Sequence, residues 1–329
     1  MRGLLFAAAL AATAAAADPA ADPTAVNPAI VYSTGGKFDA SFNESAAAGA
    51  SAWAAETGAS VAEFEPRDVG QMIQALRRFA AQGRDPIVAV GFMQASALAE
   101  VAPAFPDTHF TLIDAVVDAP NVQSVVFREH EGAYVIGVLA GLASESGVVG
   151  VVGGMDIPLI RRFACGYAQG ARAINAGVEV LVNMVGATPA AWSDVTRGAE
   201  LARGQIGRGA DVILQAAGGA GIGVLQAAAD AGVLGIGTDS NQNGLHPGAV
   251  LTSMRKRTDV AVRAAFEDWA PGVRSLGLAE GGMDWVIDAS NADLISPEMK
   301  AEADAAAQAI AQGLLKVHDS ASEGPCPAL

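Results

Sequence analysis

A handful of polar and aromatic side chains along this chain suit a planar ligand that also carries vicinal hydroxyls. Phe42 and Asn43 end the run Ser33-Thr34-Gly35-Gly36-Lys37-Phe38-Asp39-Ala40-Ser41-Phe42-Asn43. An amide beside an aromatic face fits a flat, hydrogen-bonding group such as a nucleobase. Asp114 and Asp239 each close a short, mainly apolar run. A carboxylate accepts a hydroxyl proton in a charge-assisted bond, so two of them suit a diol. Lys256 lies within Arg255-Lys256-Arg257. It either joins a solvated basic patch or donates to ligand oxygens and holds nearby carboxylates ionised. Trp192, in the loop from Pro189 to Asp194, is a stacking candidate, whereas Trp53, Trp269 and Trp285 fall inside expected elements and read as packing. Each residue also has a plain reading: Phe42 buried, Asn43 as a helix cap, the aspartates in turns.

The elements that must position these residues alternate between strand and helix. Ala29 to Tyr32 reads as a first strand and Glu44 to Glu56 as an Ala-rich helix. Asp68 reads as the cap of a helix with an apolar stripe through Met72, Ile73, Leu76 and Phe79. The rhythm continues through the strand ending at Asp114, a strand to Phe127, and a second series beginning at Val148. Alternation of this kind predicts an α/β protein of two doubly wound parallel-sheet lobes joined by a multi-crossing hinge. Residues 28–127 with 248–276 are expected in one lobe, and 128–247 with 277–329 in the other. Open α/β sheets bind ligands at the carboxyl ends of their strands. Loops there place Asn43, Asp114, Trp192 and Asp239 around one cleft.

Composition sets outer bounds. The 329 residues are 51% hydrophobic and 17% charged, with a net charge of −15. Such a chain builds a large core and is a poor match for nucleic acid or an anionic membrane. Arg2, the apolar run Leu4 to Ala12 and the small residues Ala14 to Ala17 read as an export signal over 1–17, with 18–27 a flexible leader. No Cys near that cleavage site offers a lipid acceptor, and no later run reaches membrane-spanning length, so a soluble exported protein is expected. Export permits a disulfide between Cys165 and Cys326, which sequence alone leaves open. The four histidines have no metal-ligand spacing, and neither a G-x-S-x-G elbow nor a Walker A loop occurs. Gly218-Gly219-Ala220-Gly221-Ile222-Gly223, followed by Asp239, imitates a dinucleotide fingerprint, but its spacing is G-G-x-G-x-G.

The order of these motifs resembles the basic membrane protein family of ABC-transporter substrate-binding proteins, of the purine-nucleoside-binding type. The resemblance rests on Gly35-Gly36 through Ser41-Phe42-Asn43, Phe105-Pro106-Asp107 leading to Leu112-Ile113-Asp114, and Tyr134-Val135-Ile136-Gly137. It continues through Trp192-Ser193-Asp194, Gly209 to Ile213, Ala216-Ala217-Gly218 with Gly221-Ile222-Gly223, Ile236 to Ser240, and Leu251 to Lys256. It implies a type I periplasmic binding protein that closes on a nucleoside, with no catalysis, no cofactor and a membrane permease as partner. A monomer without direct membrane insertion is expected. By resemblance Asn43 contacts the base, Asp114, Asp239 and Lys256 the ribose, Trp192 stacks on the base, and Gly218 approaches through its backbone. Two positions depart from the family pattern. Glu44 stands where an aromatic often follows the Asn, and Phe38 replaces the first acid of an Asp-Asp pair, leaving first-lobe stacking to Phe38 or Phe42. The alternatives are a receptor of the same fold for a free base or sugar, or an NAD-dependent dehydrogenase.

Overall fold

The computed structural model describes residues 26–329, so the expected export signal and most of the leader lie outside the described residues. The chain begins with β1 (Ala29–Val31), α1 (Phe42–Thr57), β2 (Ala62–Phe64), α2 (Val69–Ala81), β3 (Ile87–Val90), α3 (Ala95–Val101), β4 (Phe110–Ile113) and β5 (Val122–Phe127). Next come α4 (Glu129–Ala143), β6 (Val148–Met155), α5 (Pro158–Ile174), β7 (Glu179–Gly186), α6 (Val195–Ile206), β8 (Val212–Ala216), α7 (Gly221–Asp230), β9 (Leu234–Asp239) and β10 (Val250–Lys256). The last elements are α8 (Thr258–Glu267), β11 (Gly272–Leu276), β12 (Met283–Trp285) and α9 (Pro297–Ala311).

Two six-stranded sheets result, ordered β11-β5-β4-β3-β1-β2 and β12-β10-β9-β8-β6-β7. The first is parallel throughout; in the second only β12 runs antiparallel, against β10. Strands β1, β3 and β4 are buried at every residue. This is why they read as unbroken apolar runs: helices cover both faces. The chain passes between the lobes after β5, after β10 and after β11.

One boundary needs correcting. Residues 248–276 were expected in the first lobe, but β10 stands in the second sheet, with Arg255 opposite Asp239 and Met254 opposite Trp285. No α-helix separates β9 from its parallel neighbour β10, only a short turn at Asn243–Leu245, so the usual crossover signal is missing. The crossing therefore falls after Lys256, and α8 packs against α1 in the first lobe. Two edge strands, β2 and β11, were not expected; they are short and none of their residues is fully buried, so they carry no apolar run.

Glycines set how closely the helices approach. A Cβ at Gly170 on α5 would lie 2.0 Å from the Tyr134 carbonyl oxygen on α4, and one at Gly137 on α4 would lie 2.2 Å from that of Tyr167. Backbone cannot yield as a flexible side chain does. Gly170→Ala is therefore expected to cost about 1–3 kcal/mol despite its better helix propensity. A urea titration would show a lower midpoint at unchanged slope. Beyond α9 the tail returns to α5, where Cys165 and Cys326 form a disulfide.

Candidate ligand-binding site

The loop leading into α1 is held by a buried acid that sequence reasoning passed over. The Asp39 carboxylate accepts the backbone N–H groups of Ser41 (2.9 Å), Asn43 (3.1 Å) and Glu44 (3.1 Å). Those are the orphan donors of the helix start, so Asp39 does the capping expected of Asn43. Burial raises the Asp39 pKa, against the pull of the three N–H bonds. Asn43, itself buried, ties the loop together. Its Oδ1 accepts from the Ser33 N–H (2.9 Å) and its Nδ2 donates to the Gly36 carbonyl (3.0 Å). Asn43 thus reaches the cleft wall with much of its hydrogen-bonding capacity already used.

Asp114 and Asp239 close β4 and β9 in the same unusual way. Their φ angles are 73° and 69°, in the left-handed region that aspartate and asparagine enter more readily than other non-glycine residues. Such backbone persists where the surroundings enforce it, commonly at functional sites. The Lys256 ammonium meets Asp114 Oδ1 at 2.6 Å and Glu129 Oε1 at 2.9 Å. It also lies 5.3 Å from the Phe42 ring centre and 5.0 Å from that of Phe127. Only 1% of Lys256 is exposed, which excludes the solvated-patch reading.

The electrostatics follow from this burial. Desolvation pushes Asp114 up to about 6 in spite of Lys256. Desolvation likewise pushes Asp239 up to about 6, moderated by Lys256 and by the Ser41 hydroxyl, which donates to Asp239 Oδ2 at 2.6 Å. Burial alone would strip the charge from Lys256, but Asp114, Glu129 and Asp239 outweigh it and hold the ammonium protonated. Glu129 is driven down because Lys256 and Arg162 together overcome its desolvation. Sequence reasoning missed Glu129. An acid in the first turn of a helix reads as a solvated partner of the helix dipole. The available signal was its place one residue past the interlobe crossing from β5.

These residues line one slot between the lobes, a cavity of ≈ 70 Å³ walled by Phe42, Phe92, Phe163 and Trp192 and edged by Asn43, Asp114, Asp239 and Lys256. Trp192 lies over Gly154 of β6, where any Cβ would fall 2.2 Å from the indole ring. It meets Phe92 of the first lobe edge-on at 6.4 Å between ring centres. Phe92 carries no motif of its own, but Gly91-Phe92 sits at the carboxyl end of β3, the same edge of the sheet that presents Asn43 and Asp114. Phe38 does not line the slot: it is 80% exposed, beside the Lys37 ammonium, and the first-lobe aromatics that line it are Phe42 and Phe92.

Gly218 lines the slot with φ +57°, so a bare backbone faces the cavity at that point. Packing accounts for the glycines that follow: a Cβ at Gly221 would lie 2.0 Å from Gln215 Oε1, and one at Gly223 2.0 Å from the Val195 carbonyl oxygen. The lobes also touch across the slot, the Ser240 hydroxyl donating to the Ser41 carbonyl (2.7 Å) and Gln242 Nε2 to the Ala40 carbonyl (2.8 Å). Among the described residues no group of three or more His, Cys, Asp or Glu side chains is arranged to hold a metal ion. No described helix is long and apolar enough to cross a membrane.

Known proteins share this architecture. A solute-binding protein of an ABC transporter system from Aeropyrum pernix superposes with a TM-score of 0.80 at 28% identity, covering 89% of this chain and 93% of that one. An uncharacterized lipoprotein of Pyrococcus furiosus is 33% identical over 281 residues, 80% of this chain and 71% of the relative. The ABC transporter nucleoside-binding protein BmpA of Lactococcus lactis is 30% identical over 184 residues, 54% of this chain and 51% of its own length. The profile of the Bmp family, described as ABC transporter substrate-binding protein PnrA-like, matches residues 28–287, and the chain belongs to that family.

Proposed function

We propose that this substrate-binding protein captures a nucleoside, of the purine kind, and delivers it to the membrane permease of an ABC importer. One observation carries the reading. A single aromatic-walled slot has at its edge a carboxylate from each lobe, Asp114 and Asp239, flanking a buried ammonium. Aromatic faces suit a base and the charged edge suits the ribose diol, so the two halves of a nucleoside match the two halves of the slot. The name of the Lactococcus lactis relative supports the same ligand class.

In this reading Trp192 and Phe42 sandwich the base, with Phe92 at its edge and Asn43 hydrogen-bonding its rim through the capacity the loop leaves free. Asp114 and Asp239 accept ribose hydroxyl protons, Lys256 donates to ribose oxygen, and the Gly218 backbone approaches the ligand. The protein works by binding and release, without bond chemistry or cofactor. Because the ligand contacts both lobes, it favours the closed form by differential affinity. Export to the periplasm, removal of residues 1–17 and action as a soluble monomer complete the proposal.

Two results test it. Nucleoside binding is expected to change the tryptophan emission of the protein, and Trp192→Ala is expected to abolish that change while Trp53, Trp269 and Trp285 still emit; a change retained in the variant would remove Trp192 from the base. The pH dependence is the second. Asp114 and Asp239 must be ionised to accept hydroxyl protons, and each titrates near 6. Affinity is therefore expected to be level above pH 7 and to fall below 6, by about tenfold per pH unit for each acid required. Stability runs the other way: folded-state pKa values raised above the unfolded ones favour the fold as pH falls through 6. Titrations at pH 7.5, 6 and 5, paired with melts, would separate the two trends. An affinity that is flat across the range contradicts the ribose roles.

A further inference from the structure

The carboxyl-terminal tail lies beyond residue 287, where the family match ends, yet it reaches the slot through charge. Asp319 in the tail grips Arg162 of α5 with both oxygens, Nε to Oδ1 at 2.8 Å and Nη2 to Oδ2 at 3.1 Å. Arg162 Nη1 donates to Glu129 Oε2 at 2.8 Å and to the Phe127 carbonyl at 2.9 Å. The other oxygen of Glu129 accepts from Lys256 Nζ at 2.9 Å. Glu129 is thus shared, one oxygen per cation, and where it stands depends on where Arg162 is held. The tail is docked independently of this relay. The Cys165–Cys326 disulfide anchors it, and Gln169 exchanges two hydrogen bonds with the His318 backbone, at 3.0 and 2.9 Å.

We propose that the tail is a working part of the binding site, with Asp319 and Arg162 as positioning residues that fix the Lys256 ammonium through Glu129. The inference rests on the nucleoside reading of the slot and assigns a task to its ribose end. The relay has room to move. It lines a second cavity of ≈ 770 Å³ between the tail and the first lobe, and Asp114 and Leu159 border both cavities. Without the Asp319 charge the guanidinium loses its bidentate anchor and is free to draw Glu129 away from Lys256. The ammonium, already 2.6 Å from Asp114 Oδ1 in the intact relay, then keeps Asp114 as its one close carboxylate and competes more strongly with a ribose hydroxyl for it. The defect falls on the diol and leaves the base stack untouched.

The test is a comparison of two ligands on the oxidised full chain. Dissociation constants for adenosine and guanosine, and for their 2′,3′-dideoxy analogues, are measured by titration calorimetry in wild type, Asp319→Asn and Asp319→Glu. Asp319→Asn is expected to weaken the ribonucleosides by about three- to tenfold, leaving the dideoxy analogues as in wild type. Asp319→Glu, which keeps the carboxylate, is expected to restore most of the difference. A tail that merely stabilises the fold would lower the melting temperature and leave the ratio of the two affinities unchanged; that result overturns the proposal. Should Asp319→Asn fail to fold, Arg162→Lys, which keeps the charge but cannot hold two carboxylates in a fork, carries the same comparison. Wild-type protein that binds neither ligand pair would refute the nucleoside reading itself, which is a separate outcome.

Discussion

Lys256→Met is expected to abolish nucleoside binding and to lower stability by about 3–5 kcal/mol at pH 7. The ammonium is the hub of the site, within 3 Å of Asp114 and Glu129 and stacked near two phenyl rings. Methionine fills the same space without charge, so the loss is electrostatic and not a cavity. Glu129 keeps Arg162 as a partner, but Asp114 keeps no cation and can remain in its desolvated position only by taking up a proton. The pH dependence of the defect follows. A carboxyl whose folded pKa is raised further above its unfolded value contributes stability that returns as pH falls through the folded pKa. The gap between variant and wild type should therefore narrow from pH 7 to pH 5. Urea titrations at the two pH values read this directly. A gap that stays constant would mean that Lys256 acts by packing alone.

Asp239→Asn separates binding from stability. Asparagine tolerates the left-handed backbone that Asp239 adopts, so the strand end is kept and only the charge is lost. A charge-assisted hydrogen bond to a ligand hydroxyl is worth about 1.5–3 kcal/mol, so affinity should fall roughly ten- to a hundredfold. The melting temperature should hold or rise at pH 7, because the native state holds an ionised Asp239 only at a desolvation cost that the neutral amide avoids. Calorimetric titration and thermal melts on the same preparation give both quantities. Unchanged affinity would take the second-lobe acid out of the ribose site.

How much of this was visible in sequence depends on how local the signal is. The two-lobed parallel architecture followed from apolar runs alternating with helical stripes, since strands covered on both faces must read as continuous apolar runs. The Asp68 cap was legible, and its side chain accepts from the Gln71 N–H. That Asp114, Asp239, Trp192 and Lys256 border one slot was legible, because strand ends and polar loops are where such side chains stand apart from packing needs. Phe38 misled because an exposed phenylalanine and a ligand-facing one look alike in a loop. Glu129, Arg162 and Asp319 escaped because their meeting is purely tertiary: they come from α4, α5 and the tail, and each alone reads as a surface charge. The placement of β10 was lost for a similar reason, its partner strand being chosen by a crossover that contains no helix.

On this reading the slot recognises a nucleoside as a whole. The most direct measurement is isothermal titration of refolded, ligand-stripped protein with adenosine, guanosine, inosine, cytidine, uridine, adenine and ribose. Purine nucleosides are expected to bind tightly and pyrimidine ones more weakly, with little heat from adenine or ribose alone. Binding of ribose or adenine as tight as that of adenosine, or no binding across the whole panel, would contradict it.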